Sequence, residues 1–139
     1  MTEESEKRIV EMLSQMNDYL DGIDMYDLLQ YNRKMFHFPV IFTREQYEQD
    51  VLVLDLSARA NNCLKRAGVH TIGHLVEGFY TKEDASSKRQ LLRLRMLGSG
   101  TAEEILLKLF CYQFMVLPDE KKRSYMRRVV EANSWGAGD

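Results

Sequence analysis

Residues that break helices are scarce in this sequence: two prolines and eight glycines among 139 residues. A disulfide framework is missing too. Cys63 and Cys111 are the only cysteines, lie far apart, and have no Cys or His at metal-ligand spacing, which fits a reducing cytoplasm. No apolar run approaches the roughly 18 residues of a membrane span, because stretches such as Val51-Leu-Val-Leu54 are closed by Asp on either side. The first residues, Thr2-Glu-Glu-Ser-Glu6, are acidic and polar, the reverse of a secretory leader. There is no P-loop, G-x-S-x-G elbow, dinucleotide fingerprint or Ser/His/Asp set, so an enzyme is not expected, and nothing calls for a cofactor. What remains is ordinary globular material, 45% apolar and 29% charged. Its length suits about one domain.

Charge is unevenly placed. Residues 1–55 hold 5 Lys/Arg against 12 Asp/Glu, a net of −7. Residues 56–104 carry a net of +3 and residues 105–139 a net of +2. A mildly basic remainder after an acidic first third is compatible with nucleic-acid contact, but so small an excess, taken alone, reads as a solvated surface.

The pattern along the sequence is helical. Thr2 can cap a first helix in which Ile9, Met12, Leu13, Met16 and Leu20 recur at helical spacing before Asp21-Gly22 stops it. A shorter helix is expected near residues 25–32. Pro39 breaks any helix in Phe36-His-Phe-Pro-Val-Ile-Phe42, so that aromatic stretch reads as extended and packed on the core. Thr43-Arg-Glu-Gln46 fits a capping box. Ser57 caps a helix over 58–67, and Gly68 stands where a left-handed residue belongs. Thr71 opens a helix through Val76 that Gly78 ends, and Thr81 opens a segment towards Leu94. A turn at Leu97-Gly-Ser-Gly100 leads into a helix over 101–114, with Ile105, Leu106, Leu109 and Phe110 facing the core. Pro118 suits the first position of a last helix ending near Asn133. The expected fold class is therefore all-α. Its segments read as an acidic helical extension (1–50), a central module (51–117), a carboxy-terminal helix (118–133) and a tail (134–139).

Two glycine turns, each followed by a short capped helix, read as helix–hairpin–helix units: one around Gly68, the other at Leu97-Gly98. Free N–H groups and the positive end of the dipole at such a helix start suit a phosphate. Together, Leu56-Ser-Ala-Arg-Ala-Asn-Asn-Cys-Leu-Lys65, Gly68-Val-His-Thr-Ile-Gly-His-Leu-Val76 and Leu97-Gly98 with Glu103-Glu-Ile105 resemble the C-terminal domain of the bacterial RNA polymerase alpha subunit. The resemblance runs from about Leu54 to Phe110. It implies a compact bundle of short helices that binds duplex DNA in an A·T-rich minor groove, with RNA polymerase or a transcription factor as protein partner. It places the groove-reading arginine on Arg59 and the backbone contacts on Asn62 and Cys63. The glycine of the second loop falls on Gly98, the phosphate-binding serine on Thr101, and the neighbouring glutamate on Glu104.

Helical spacing supports the first group on its own terms, since Arg59, Asn62, Cys63 and Arg66 fall within an arc of about 100°. Arginine suits the focused negative potential of a narrow minor groove. The departures are also specific. Ser99 and Gly100 stand where the family carries lysines, and each lost lysine removes one phosphate neutralisation. The segment between the motifs is longer, and its Lys88, Arg89, Arg93 and Arg95 are candidate substitutes. Residues 1–50 match nothing familiar, and the family's large dimerisation domain has no counterpart here. His70 and His74 are four apart, but Gly73 and the absence of a third ligand argue against a metal. Two readings stay open: a transcription-related DNA-binding module, or a protein–protein adaptor that keeps the fold without binding DNA.

Overall fold

A computed structural model describes residues 2–32, 36–79 and 99–133. Among them are seven α-helices: α1 Glu3–Met16, α2 Met25–Tyr31, α3 Arg44–Tyr47, α4 Ala58–Arg66, α5 Ile72–Phe79, α6 Ser99–Met115 and α7 Asp119–Ala132. No strand occurs among the described residues; one isolated bridge pairs Asp50 with Thr71. None of the described helices is long and apolar enough to cross a membrane.

The helix starts follow local chemistry. Thr2 accepts from the Ser5 N–H and has Glu3, Glu4 and Glu6 beside it, where the dipole favours anions. Asp24 caps α2, and Asn17 holds the preceding turn by accepting from the Met25 N–H at 2.7 Å. Thr43 and Gln46 form the full capping box. At the end of α4, the Val69 N–H reaches the Leu64 carbonyl (2.9 Å) across Gly68, whose φ is +77°. Leu64 and Val69 are both buried, completing a Schellman turn with its apolar contact. An added Cβ at Gly68 would meet nothing within 4 Å, so its replacement carries only the left-handed backbone cost. Gly68→Ala is expected to destabilise by about 1–2 kcal/mol, read as a fall of several degrees in the thermal midpoint.

Helix α6 is central. From Thr101 to Phe114 every residue but Glu103 is buried, so the helix is enclosed nearly all round. This exceeds the single core stripe that the sequence pattern suggests. One continuous core runs from Ile9 of α1 through Phe36, Leu64, Leu75 and Phe110 to Val129 of α7. Phe36 and Phe38 each place their rings 5.1 Å from that of Phe110. Residues 36–42 are extended without a sheet partner, and side chains satisfy their backbone instead. Gln113 accepts from the Ile41 N–H (2.7 Å), Tyr125 donates to the Pro39 carbonyl (2.8 Å), and Asn133 brackets His37 from both sides.

Several boundaries differ from the sequence reading, and one turn is added to it. Val51–Leu54 winds into a 3-10 turn, capped by Asp50 and followed by Asp55 in the left-handed region (φ 57°). Helix α5 runs past Gly78 to Phe79, α6 begins at Ser99, and Pro118 is the N-cap of α7 because its ψ of 145° is not helical. The expected segment at Thr81–Leu94, the turn residues Leu97 and Gly98, and the tail from Ser134 lie outside the described residues. Only the first helix–hairpin–helix unit, α4–Gly68–α5, falls wholly inside them.

Candidate nucleic-acid interface

Helix α4 carries the site. Its buried side is Ala60, Cys63 and Leu64; Arg59, Asn62, Lys65 and Arg66 are exposed. Ala67, the C-cap, is exposed. Among the described residues, Arg59, Asn62 and Lys65 have no ion-pair or hydrogen-bond partner, while Arg66 lies 3.6 Å from the Cys63 sulfur. The helix holds three cations and no acid. Arg59 stands in the first turn, where the helix dipole disfavours a cation, so helix stability does not account for it. Cys63 is a buried free thiol that packs the inner side of the stripe.

Lys65 is a residue that motif matching did not single out. It follows Asn62 by three positions and lies about 60° away round the helix, which extends the polar arc. Together with Asn61, Asn62 and His70 it borders a cavity of about 120 Å³ at the outer edge of α4. The Asn61 Nδ2 donates to the Leu56 carbonyl at 3.3 Å, which leaves its buried Oδ1 without a partner among the described residues.

The second half of the expected site is arranged differently. Thr101 and Glu104 are buried, at 6% and 1% exposure, so neither side chain stands open to solvent as those of Arg59 and Asn62 do. The Glu104 carboxylate accepts from the Ser57 N–H (2.6 Å), the Ser57 hydroxyl (2.8 Å) and the Ser5 hydroxyl (3.2 Å). An internal anion thus occupies the start of α4, held by the helix's own cap. The physical cause is depth: α6 is the enclosed helix, so a polar side chain on its inner turns must find partners within the protein. Gly98 lies outside the described residues.

The start of α5 is also engaged internally. The Ile72 N–H donates to the Gln49 carbonyl (2.9 Å), and the His74 N–H donates to the Thr71 hydroxyl (3.1 Å). The expectation of free N–H groups at this helix start is therefore corrected at these two positions. His74 accepts from the His70 backbone N–H through Nδ1 at 3.4 Å. No group of three metal-ligating residues occurs among the described residues.

Because Glu104 bonds both Ser5 and Ser57, it brings the first turn of α1 beside the first turn of α4. Exposed Glu3, Glu4 and Glu6 therefore sit near the end of α4 that bears Arg59. The acidic amino-terminal region is not confined to the far side of the molecule.

Residues 42–110 match the family described as the C-terminal domain of the alpha subunit of bacterial RNA polymerase. The match begins upstream of the motifs that carry the resemblance, at Phe42, and so takes in the Thr43 capping box. The protein is similar to DNA-directed RNA polymerase subunit alpha of Chlorokybus atmophyticus, 38% identical over 101 residues, which is 71% of this sequence and 29% of that protein. The subunit of Mesostigma viride is 42% identical over 82 residues, covering 58% of this sequence and 23% of its own length. That of Carboxydothermus hydrogenoformans is 37% identical over 62 residues, 45% and 17% of the two sequences. The protein thus spans less than a third of these curated relatives. No solved structure matches it.

Proposed function

Residues 42–110 form a domain of the bacterial RNA polymerase alpha C-terminal family, and from that premise we propose that the protein is a transcription-related, non-catalytic DNA-binding module. Helix α4 lies along an A·T-rich minor groove, with Arg59 entering the groove and Asn62, Lys65 and Arg66 meeting the backbone. RNA polymerase or a transcription factor is its protein partner. The observation that carries this reading is the α4 face itself: three cations, no acid, and Arg59 unpaired among the described residues at a position the helix dipole disfavours.

Salt-dependent titration against A·T-rich and G·C-rich duplexes tests it. Affinity is expected to fall linearly on logarithmic axes, by about 0.9 per phosphate neutralised, with the A·T-rich duplex bound more tightly at each salt concentration. Equal, weak affinity for both duplexes would favour the second reading, a protein adaptor. That reading draws on the inward-facing Thr101 and Glu104 and on the acidic first turn of α1 beside α4.

The start of α6 supplies a further test. Ser99 and Gly100 are helical, and Gly100 is exposed, so the double substitution Ser99→Lys, Gly100→Lys adds two cations without a left-handed backbone to strain. If the first turn of α6 faces phosphate, the salt slope steepens by at most about 1.8. An unchanged slope in a folded double mutant confines the interface to α4.

A further inference from the structure

The 3-10 turn at Val51–Leu54, α1 and α6 enclose a cavity of about 170 Å³ unconnected with the DNA reading. Its walls are mainly apolar: Ile9, Met12, Cys111, Tyr112 and Met115. Burial pushes the Cys111 thiol up to about 12, so it stays protonated and behaves as apolar lining. At the mouth, Met115 is 51% and Val53 38% exposed, which leaves an apolar rim open to solvent.

Two cations border this apolar space. The Lys108 side chain is only 7% exposed, and its one acceptor among the described residues is Asp55 Oδ2, at 3.4 Å. The same oxygen is already bound by the Arg8 Nε at 2.9 Å. Asp55 is itself 60% exposed and held in the left-handed region, so its charge is shared and partly screened by water. Arg8 also reaches Glu4 at 3.3 Å, but that carboxylate is 80% exposed. A buried ammonium with three donors and one long, shared acceptor leaves hydrogen-bonding capacity unused.

We propose that this cleft binds a small aliphatic carboxylate, its anion on Lys108 and Arg8 and its hydrocarbon tail along Met12, Cys111 and Met115. The cavity is slightly larger than the ~150 Å³ that accommodates benzene, so it encloses a tail of about six carbons, with the open rim accepting a longer one. An uncharged molecule fills the same volume but leaves the ammonium as it was. A cationic amphiphile adds a like charge. The carboxylate alone satisfies both halves of the site.

The probe is hexanoate, titrated into the 139-residue protein while the methyl resonances of Met12 and Met115 are followed by NMR. Saturable shifts of both methyls are expected, with hexan-1-ol binding at least ~tenfold more weakly. Lys108→Met keeps the volume and leaves Asp55 paired with Arg8; it should weaken hexanoate by a similar factor and leave hexan-1-ol unchanged. Arg8→Gln, at a half-exposed position outside the core, serves as the second variant and should weaken hexanoate several-fold. The proposal is overturned by absence of saturable shifts at millimolar hexanoate, by equal affinity for acid and alcohol, or by undiminished hexanoate binding in either folded variant. The comparison of acid with alcohol needs no variant, so a failure of Lys108→Met to fold does not protect the idea.

Discussion

Replacing Glu104 by alanine is expected to destabilise the fold by about 3–5 kcal/mol, seen as a lower urea midpoint with an unchanged slope. The carboxylate accepts three hydrogen bonds at 1% exposure, one of them from the backbone N–H of the residue that caps α4. Its removal leaves the Ser57 N–H and the Ser5 and Ser57 hydroxyls short of an acceptor, and opens a void beside α6. Glu104→Gln keeps the shape and one acceptor oxygen and should cost about half as much. The pair also separates two roles. If Glu104 touches DNA, Glu104→Gln weakens binding out of proportion to its effect on stability. The buried geometry predicts the opposite: stability falls first, and binding follows only as α4 loses its anchor.

Arg59→Ala is expected to weaken duplex binding by about 1–3 kcal/mol, roughly five- to 150-fold, with stability changed by no more than about 0.5 kcal/mol. The side chain is exposed and has no partner among the described residues, so the fold loses little when it goes. Arg127→Ala is the matched control. It removes one exposed charge from α7, which contacts residues 17–19, the Phe114 ring through Lys122 and the extended segment through Tyr125. Its effect on binding should be twofold or less, as expected for an exposed, screened charge outside the proposed interface. Comparable small losses from both substitutions would reduce the attraction to diffuse charge and transfer the weight to the adaptor reading.

Much of the fold was legible because its rules are local. The caps at Thr2, Thr43 and Ser57, the left-handed Gly68 and the breaking effect of Pro39 act over one helical turn, and each stands where the sequence placed it. The polar stripe of α4 was legible for the same reason. Residues three and four apart share a face, so Arg59, Asn62 and Arg66 line up whatever surrounds them. The 3-10 turn at Val51–Leu54 was not legible. Four consecutive apolar residues carry no period, and the choice came from the Asp50 cap and the bridge to Thr71.

By itself, then, the sequence determined an all-α protein, the capped helix starts at Thr2, Thr43 and Ser57, the outward face of α4 and the family to which residues 42–110 belong. The tertiary structure decided which polar residues are spent inside. Glu104, Lys108 and Gln113 lie on α6, and nothing in their spacing distinguishes a solvated side of that helix from a buried one. Their fate depended on α1, α4, the 51–54 turn and the extended segment closing around it, and on Ser5, Ser57, Asp55 and the Ile41 N–H arriving as partners from 47 to 99 residues away. Pairings at such separations leave no local signature, because a buried polar group needs a satisfied partner but is indifferent to where in the sequence that partner lies.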